Sequence, residues 1–219
     1  MREFHAPTDP PVRGFLHEPA APATAAIVLT HSAGANCQAP LLVALADTFS
    51  AAGVLALRCD LPFRQQRPHG PPLRTAARDQ AGLRAAVATL RALEPGAATR
   101  RRVFLGGHSY GGRQASMLAA AEPGLADALL LLSYPLHPPR KPEQLRTQHF
   151  PQLRTAALFA HGMRDPFGSL QEITAALGLI PARTQLLSVE GAGHELLTKT
   201  NAESLPQRIV ESFLGFAGS

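Results

Sequence analysis

The sequence predicts an α/β fold: a mostly parallel sheet of about seven strands with helices on both faces and no cap domain. Three observations carry that expectation. Short apolar runs alternate with segments of helical spacing along most of the chain. Several of the runs are apolar without interruption, as parallel strands covered on both faces are. The chemically suggestive loops, at residues 31–36, 60–70, 107–111, 161–165 and 190–195, all follow a strand. In an open parallel sheet that is the end where sites form.

In chain order, Val12 to Leu16 reads as an edge strand and Ala25 to Thr30 as a buried parallel strand, leading into the small-residue loop His31-Ser32-Ala33-Gly34-Ala35-Asn36. Pro40 to Ala52 carries Leu42, Leu45, Ala46 and Phe49 at helical spacing, with Gly53 as its stop. Val54 to Cys59 is the next strand. A proline-rich, basic loop runs from Leu61 to Pro72, then a long helix from about Leu73 to Leu93, closed by Pro95-Gly96. Val103 to Leu105 is a short strand, Gly106 to Gly112 a turn and Arg113 to Ala121 a helix. Ala128 to Leu132 and Thr155 to Ala160 are further strands, separated by a proline-rich stretch with one short helix at most. Ser169 to Leu177 is helical and Thr184 to Val189 is the last strand. Ser204 and Gln207 form a capping box for a final helix that turns Ile209, Val210, Phe213 and Leu214 inward.

Size and composition narrow the classes. A chain of 219 residues supports one domain, residues 1–219, with an ample core. Hydrophobic content is 45% with no long apolar run, which speaks for a soluble protein without a membrane partner. The N-terminal residues lack the apolar region of a secretory signal, so the expected location is cytoplasmic. Cys37 and Cys59 form no disulfide framework or metal motif and are expected to be small buried hydrophobes. The formal charge of +5 is nearly all arginine, spread along the chain. The run Arg100-Arg101-Arg102 precedes a strand, at the far end from the suggestive loops, so no nucleic-acid partner is expected. Neither a phosphate loop nor a dinucleotide fingerprint is present, and no metal or cofactor is expected.

The chemistry centres on Gly107-His108-Ser109-Tyr110-Gly111, a G-x-S-x-G between a strand and a helix. A serine on so sharp a turn needs small neighbours two residues away. Its hydroxyl then stands at a helix N-terminus, where the Tyr110 N–H can face a developing oxyanion. A glycine-rich connection whose serine merely caps a helix is the alternative for the motif alone. A serine hydroxyl also needs an imidazole to take its proton and an acid to fix that imidazole. Asp165 and His194 supply both at strand ends, in the order Ser, Asp, His. Asp127 precedes a strand, Glu122 and Glu143 lie away from strand ends, and Glu190 neighbours the histidine too closely. His161 is the rival base, but it directly follows an apolar run, which suggests packing.

GGHSYGG, HGMRDPFGS and GAGHE, together with the HSAGAN loop, resemble the α/β-hydrolase superfamily from Val12 to Phe216. The likeness is to its small, lid-poor members: dienelactone-hydrolase-like proteins and bacterial hydrolases related to a subunit of the chromatin-associated NSL complex and to a testis-expressed protein. The resemblance implies an α/β-hydrolase fold with Ser109 as nucleophile, Asp165 as triad acid and His194 as base. It also implies a second oxyanion donor, the N–H of Ala33, although His31-Ser32 stands where relatives carry His-Gly. Dienelactone hydrolases proper use a cysteine nucleophile, so Ser109 points to a serine esterase acting on a small soluble ester or thioester. A non-catalytic scaffold on the same fold is the competing class.

Only about twenty residues separate the strand ending near Tyr134 from the one starting near Thr155, too few for a helical cap. Loops must therefore wall the pocket. Phe63, Tyr134 and Phe167 are its expected apolar contacts, and Arg64, Arg67, His69, Arg140, Lys141 and Arg164 its expected basic rim. His108 is expected to pack beneath the serine, and Arg113 to lie on the helix surface or clamp a neighbouring loop.

Overall fold

The computed structural model describes residues 1–72, 76–93 and 101–218. Its strands are β1 (Arg2–Ala6), β2 (Val12–His17), β3 (Ala25–Thr30), β4 (Val54–Cys59), β5 (Arg102–His108), β6 (Leu129–Leu132), β7 (Ala157–Gly162) and β8 (Thr184–Val189). The helices are α1 (Pro40–Ala51), α2 (Pro62–Gln66), α3 (Ala76–Ala92), α4 (Tyr110–Ala121), α5 (Leu170–Leu177) and α6 (Ser204–Gly218). All eight strands form one sheet in the order β1-β2-β4-β3-β5-β6-β7-β8. Strands β3 to β8 are parallel, while β1 and β2 join antiparallel at one edge. Among the described residues no cap domain interrupts this α/β architecture.

The sheet has one strand more than the seven expected. Strand β1 buries only Phe4 among polar neighbours, so the sequence carries almost no apolar signal for it. Because β1 occupies the edge, β2 is the second strand, paired on both sides. The expected loop after β4 contains α2, which opens on Pro62, a residue whose fixed φ suits a first helical position. Helix α3 begins at Ala76; Leu73 to Thr75, the Pro95-Gly96 stop and Arg100 lie outside the described residues. Ser204 is the first residue of α6 and not its cap. A capping box forms instead at α5, where Ser169 and Glu172 satisfy each other's backbone N–H groups.

The pleat of each strand sends alternate residues to opposite faces. Ala26 and Val28 of β3 pack with α3 (Leu83, Val87, Leu90) and α4 (Ala115, Leu118). Ala25, Ile27 and Leu29 pack with α1 (Leu42, Leu45, Phe49) and α6 (Ile209, Phe213). Both faces of the central strands are dry, which is why these runs are apolar throughout. The carboxyl ends of β3, β5, β7 and β8 then open on the same side of the sheet, and their loops hold the candidate residues.

Candidate active site

Ser109 sits between β5 and α4 with φ 52° and ψ −112°, a conformation L-residues rarely adopt. The turn holds because the chain approaches itself too closely for side chains. A Cβ on Gly107 would lie 2.5 Å from the Gly112 nitrogen, and one on Gly111 would lie 2.6 Å from the His31 carbonyl oxygen. The Gly111 N–H donates to that His31 oxygen at 3.2 Å, and the Ser109 N–H to the Leu132 oxygen at 2.8 Å. These bonds lock the elbow to both neighbouring strand ends.

The Ser109 Oγ lies 2.8 Å from His194 Nε2. On the other side of the ring, Nδ1 lies 2.8 Å and 3.0 Å from the two Asp165 carboxylate oxygens. A carboxylate can only accept, so the neutral ring carries its proton on Nδ1 and turns the Nε2 lone pair to the serine hydroxyl. Asp165 is buried, and its Oδ1 also accepts the Phe167 N–H at 2.9 Å. The Phe167 ring stacks on His194 with centroids 4.2 Å apart. The buried His108 ring lies 5.4 Å from that of His194 by centroid, its Nε2–H donating to the His194 carbonyl at 2.8 Å. Burial holds the His108 pKa below the ordinary histidine value, which keeps that ring neutral.

The rival groups are occupied elsewhere. His161 is buried and donates Nε2–H to the Gly168 carbonyl at 2.7 Å. Asp127 binds the Val103 N–H at 2.7 Å, at the opposite end of β5, and Glu190 is exposed.

A cavity of about 560 Å³ opens beside Ser109, lined among others by Ala33, Tyr110 and Phe167. Tyr110 is the first residue of α4, so its N–H has no intrahelical acceptor. Neither Ser32 nor Ala33 has a positive φ, so Ser32 is accommodated there without backbone strain. The loop is held from behind by His31, whose buried Nε2 accepts the Leu61 N–H at 3.0 Å and whose Nδ1–H donates to the Ser32 oxygen at 2.8 Å.

Three expected pocket residues lie elsewhere. Phe63 is fully buried on α2 between the His31 and Tyr110 rings, 5.6 Å from each by centroid. Tyr134 is in the core against Phe150 and Phe159, and its hydroxyl donates to the Arg146 carbonyl at 2.6 Å. Arg64 is a buried hub and no part of a rim. It donates from Nε to the Ala35 oxygen (2.8 Å), from Nη1 to Arg67 and Pro68 (3.1 and 2.8 Å), and from Nη2 to Ala33 and Gly70 (2.7 and 3.2 Å). The other expected rim residues, Arg67, His69, Arg140, Lys141 and Arg164, are exposed and do not line the cavity.

Sequence reasoning missed Asp79 and Arg146, and it expected Arg113 on the helix surface or clamping a loop, not on the cavity wall. Asp79 of α3 is buried, accepting the Tyr110 hydroxyl at 2.7 Å and the Phe63 N–H at 3.0 Å; burial raises its pKa. Arg113 and Arg146 both line the cavity. No local signal marks Asp79 or Arg146, whereas Arg113 follows Ser109 by one helical turn and could have been placed by that spacing. Among the described residues no cluster of three or more His, Cys, Asp or Glu could hold a metal ion, and no helix is long and apolar enough to cross a membrane.

A strained serine after a parallel strand, reached by an imidazole and a carboxylate from later strand ends, is the architecture of α/β hydrolases. The model of the alpha/beta hydrolase domain family matches residues 23–214, and the chain belongs to that family. Its fold is shared with Est1E from Butyrivibrio proteoclasticus (TM-score 0.78, 17% identity, 100% of each chain covered). It is shared with a dienelactone hydrolase from Anabaena variabilis (TM-score 0.75, 19% identity, 98% of each chain). A serine hydrolase without lid from Xanthomonas campestris is also similar (TM-score 0.70, 18% identity, 97% of this chain and 95% of that one).

Proposed function

We propose that the protein is a serine hydrolase, a carboxylesterase-like enzyme that transfers an acyl group from a small soluble ester or thioester to water. The observation that carries this reading is the continuous relay Ser109 Oγ, His194 Nε2, His194 Nδ1, Asp165, with 2.8 Å at both joints. In this mechanism His194 takes the Ser109 proton as Oγ attacks the acyl carbon, and Asp165 stabilises the imidazolium. Tyr110 and Ala33 both line the cavity, and in this reading their N–H groups stabilise the oxyanion. The bond from the acyl carbon to the leaving oxygen, or to sulfur in a thioester, breaks, and His194 returns the proton to the leaving group. Water repeats the sequence on the acyl-enzyme and releases the acid. The free, buried Cys37 and Cys59 fit a cytoplasmic setting.

A fluorophosphonate probe should label the wild-type protein on Ser109. The Ser109→Ala variant should take no label, lose about 10⁶ in kcat and melt no lower than wild type. An adduct on the alanine variant would sink the assignment; no adduct on a folded wild type would favour the scaffold reading. With no cap over the cavity among the described residues, each further methylene of a long acyl chain finds little wall to bury against, forgoing about 0.8 kcal/mol. Rates on p-nitrophenyl esters should therefore not rise from butyrate to palmitate, and a rise would refute the small-substrate part of the reading.

A further inference from the structure

Two arginines face the cavity that Ser109 opens on, and neither is matched by a carboxylate. Arg113 lies one turn along α4 from Ser109, its N–H donating to the Ser109 carbonyl at 2.9 Å. Residues at this spacing share a helix face, with Cβ atoms about 5–6 Å apart. The Arg113 Nε is buried and has no hydrogen-bond partner. The groups its charge acts on are the Tyr110 and Tyr134 hydroxyls, the His149 ring and Arg146. None of them is an anion.

Arg146 comes from the stretch after β6. Its backbone is held at both ends: its N–H donates to the Leu136 oxygen at 2.8 Å and its oxygen accepts the Tyr134 hydroxyl at 2.6 Å. The guanidinium makes one long bond, to the Pro135 oxygen at 3.4 Å. Burial first, and then the Arg113 charge, pull its pKa below the ordinary arginine value. Among the described residues no ion pair engages either side chain. Two like charges in a partly desolvated wall repel each other, and an anion between them removes both the repulsion and the unmet donors.

We propose that Arg113 and Arg146 form an anion subsite beside Ser109, which selects esters bearing a carboxylate a few bonds from the scissile carbonyl. The proposal rests on the serine-hydrolase reading for the ester and on the two guanidiniums for the carboxylate. Planar guanidiniums suit this role because each can present paired N–H donors to a carboxylate.

The test uses isosteric pairs that differ only in charge. One pair, 4-acetoxybenzoate and 4-acetoxybenzamide, carries the difference in the leaving group. The other, monomethyl adipate and methyl adipamate, carries it in the acyl group. Wild-type protein should favour the carboxylate by about tenfold or more in kcat/KM in at least one pair. The ratio should fall toward one in Arg113→Gln and in Arg146→Gln; should Arg113→Gln fail to fold, Arg146→Gln decides. A wild-type ratio near one in both pairs, or a preference that survives substitution, overturns the subsite while leaving the hydrolase reading intact. If no ester is cleaved and fluorophosphonate does not label Ser109, the hydrolase reading fails by itself. Calorimetric titration of adipate then decides the subsite: binding that weakens about tenfold in Arg146→Gln supports it. Equal binding, or none, overturns it.

Discussion

The two walls of the site are built in different ways. On the elbow wall, from residues 31–36 through α2 to α4, the backbone is tied at almost every step. Gly111 donates to His31, His31 accepts from Leu61, and Arg64 gathers five carbonyls that include Ala33 and Ala35. On the acid–base wall, after β7 and β8, side chains do the linking: Asp165 to His194, His108 to the His194 carbonyl, Phe167 stacked on the ring. One wall fixes where backbone N–H groups point, and the other fixes where a proton can go. Substitutions on the first should therefore disturb oxyanion stabilisation, and substitutions on the second should disturb proton transfer.

The sharpest break in this contrast is Asp165→Asn. The amide can still accept the Phe167 N–H through its oxygen, but it no longer fixes the His194 tautomer or stabilises the imidazolium. We expect kcat to fall by about 10⁴ with little change in melting temperature. Turnover near wild type would place the supporting acid elsewhere. Next in size is Arg64→Lys. A lysine ammonium has three donors where the guanidinium has five in a fixed plane, so the carbonyls of Ala33 and Ala35 cannot all be held. A loss of about 10² in kcat, with KM for a neutral ester little changed, is the expected sign of a displaced oxyanion donor. A purely structural arginine would lower the melting temperature without touching kcat of the folded fraction.

The smallest effect concerns acid stability. Burial, and then the Arg113 charge, hold the His149 pKa down at about 4, with Ser116 Oγ 2.8 Å from its Nε2. In the unfolded chain the same ring protonates near about 6.5. The unfolded state thus binds more protons as pH falls from about 6.5 toward 4, and stability drops across that window. Above it the ring is neutral in both states and contributes nothing. His17, His31 and His108, lowered by burial, act in the same direction, while the raised Asp79 opposes them at lower pH. His149→Gln should flatten the slope of melting temperature against pH between 6.5 and 4. An unchanged slope would assign the loss to the other three histidines.

The same contrast explains what could be read in the sequence. Ser109, Asp165 and His194 were legible because each stands at a strand's carboxyl end within a short glycine-bearing motif, and strand ends of a parallel sheet converge. The apolar strands of the centre were legible because burial on both faces leaves them no polar positions. Strand β1 was not, since an antiparallel edge strand needs only one inward side chain, here Phe4. Phe63, Arg64 and Tyr134 were misread for another reason. Whether a loop side chain points at solvent, ligand or core depends on how the loop turns, and that is set by partners far along the chain. Arg64 and Arg146 are the same residue in similar proline-rich stretches; the first meets five carbonyls and the second a cavity.

The long separations between the linked groups bear on when the proposed relay can assemble. Ser109 and His194 stand 85 residues apart, and Asp165 and His194 stand 29 apart. During synthesis the elbow, its flanking strands and the helices behind them can all be in place while the segment carrying His194 has yet to dock. Under the proposed mechanism the serine has no base within reach until β8 joins β7, and an incompletely folded chain stays chemically silent. Labelling at Ser109 would then time the last step of sheet assembly, and a chain that stalls before it would carry its hydroxyl through the cell without acylating it.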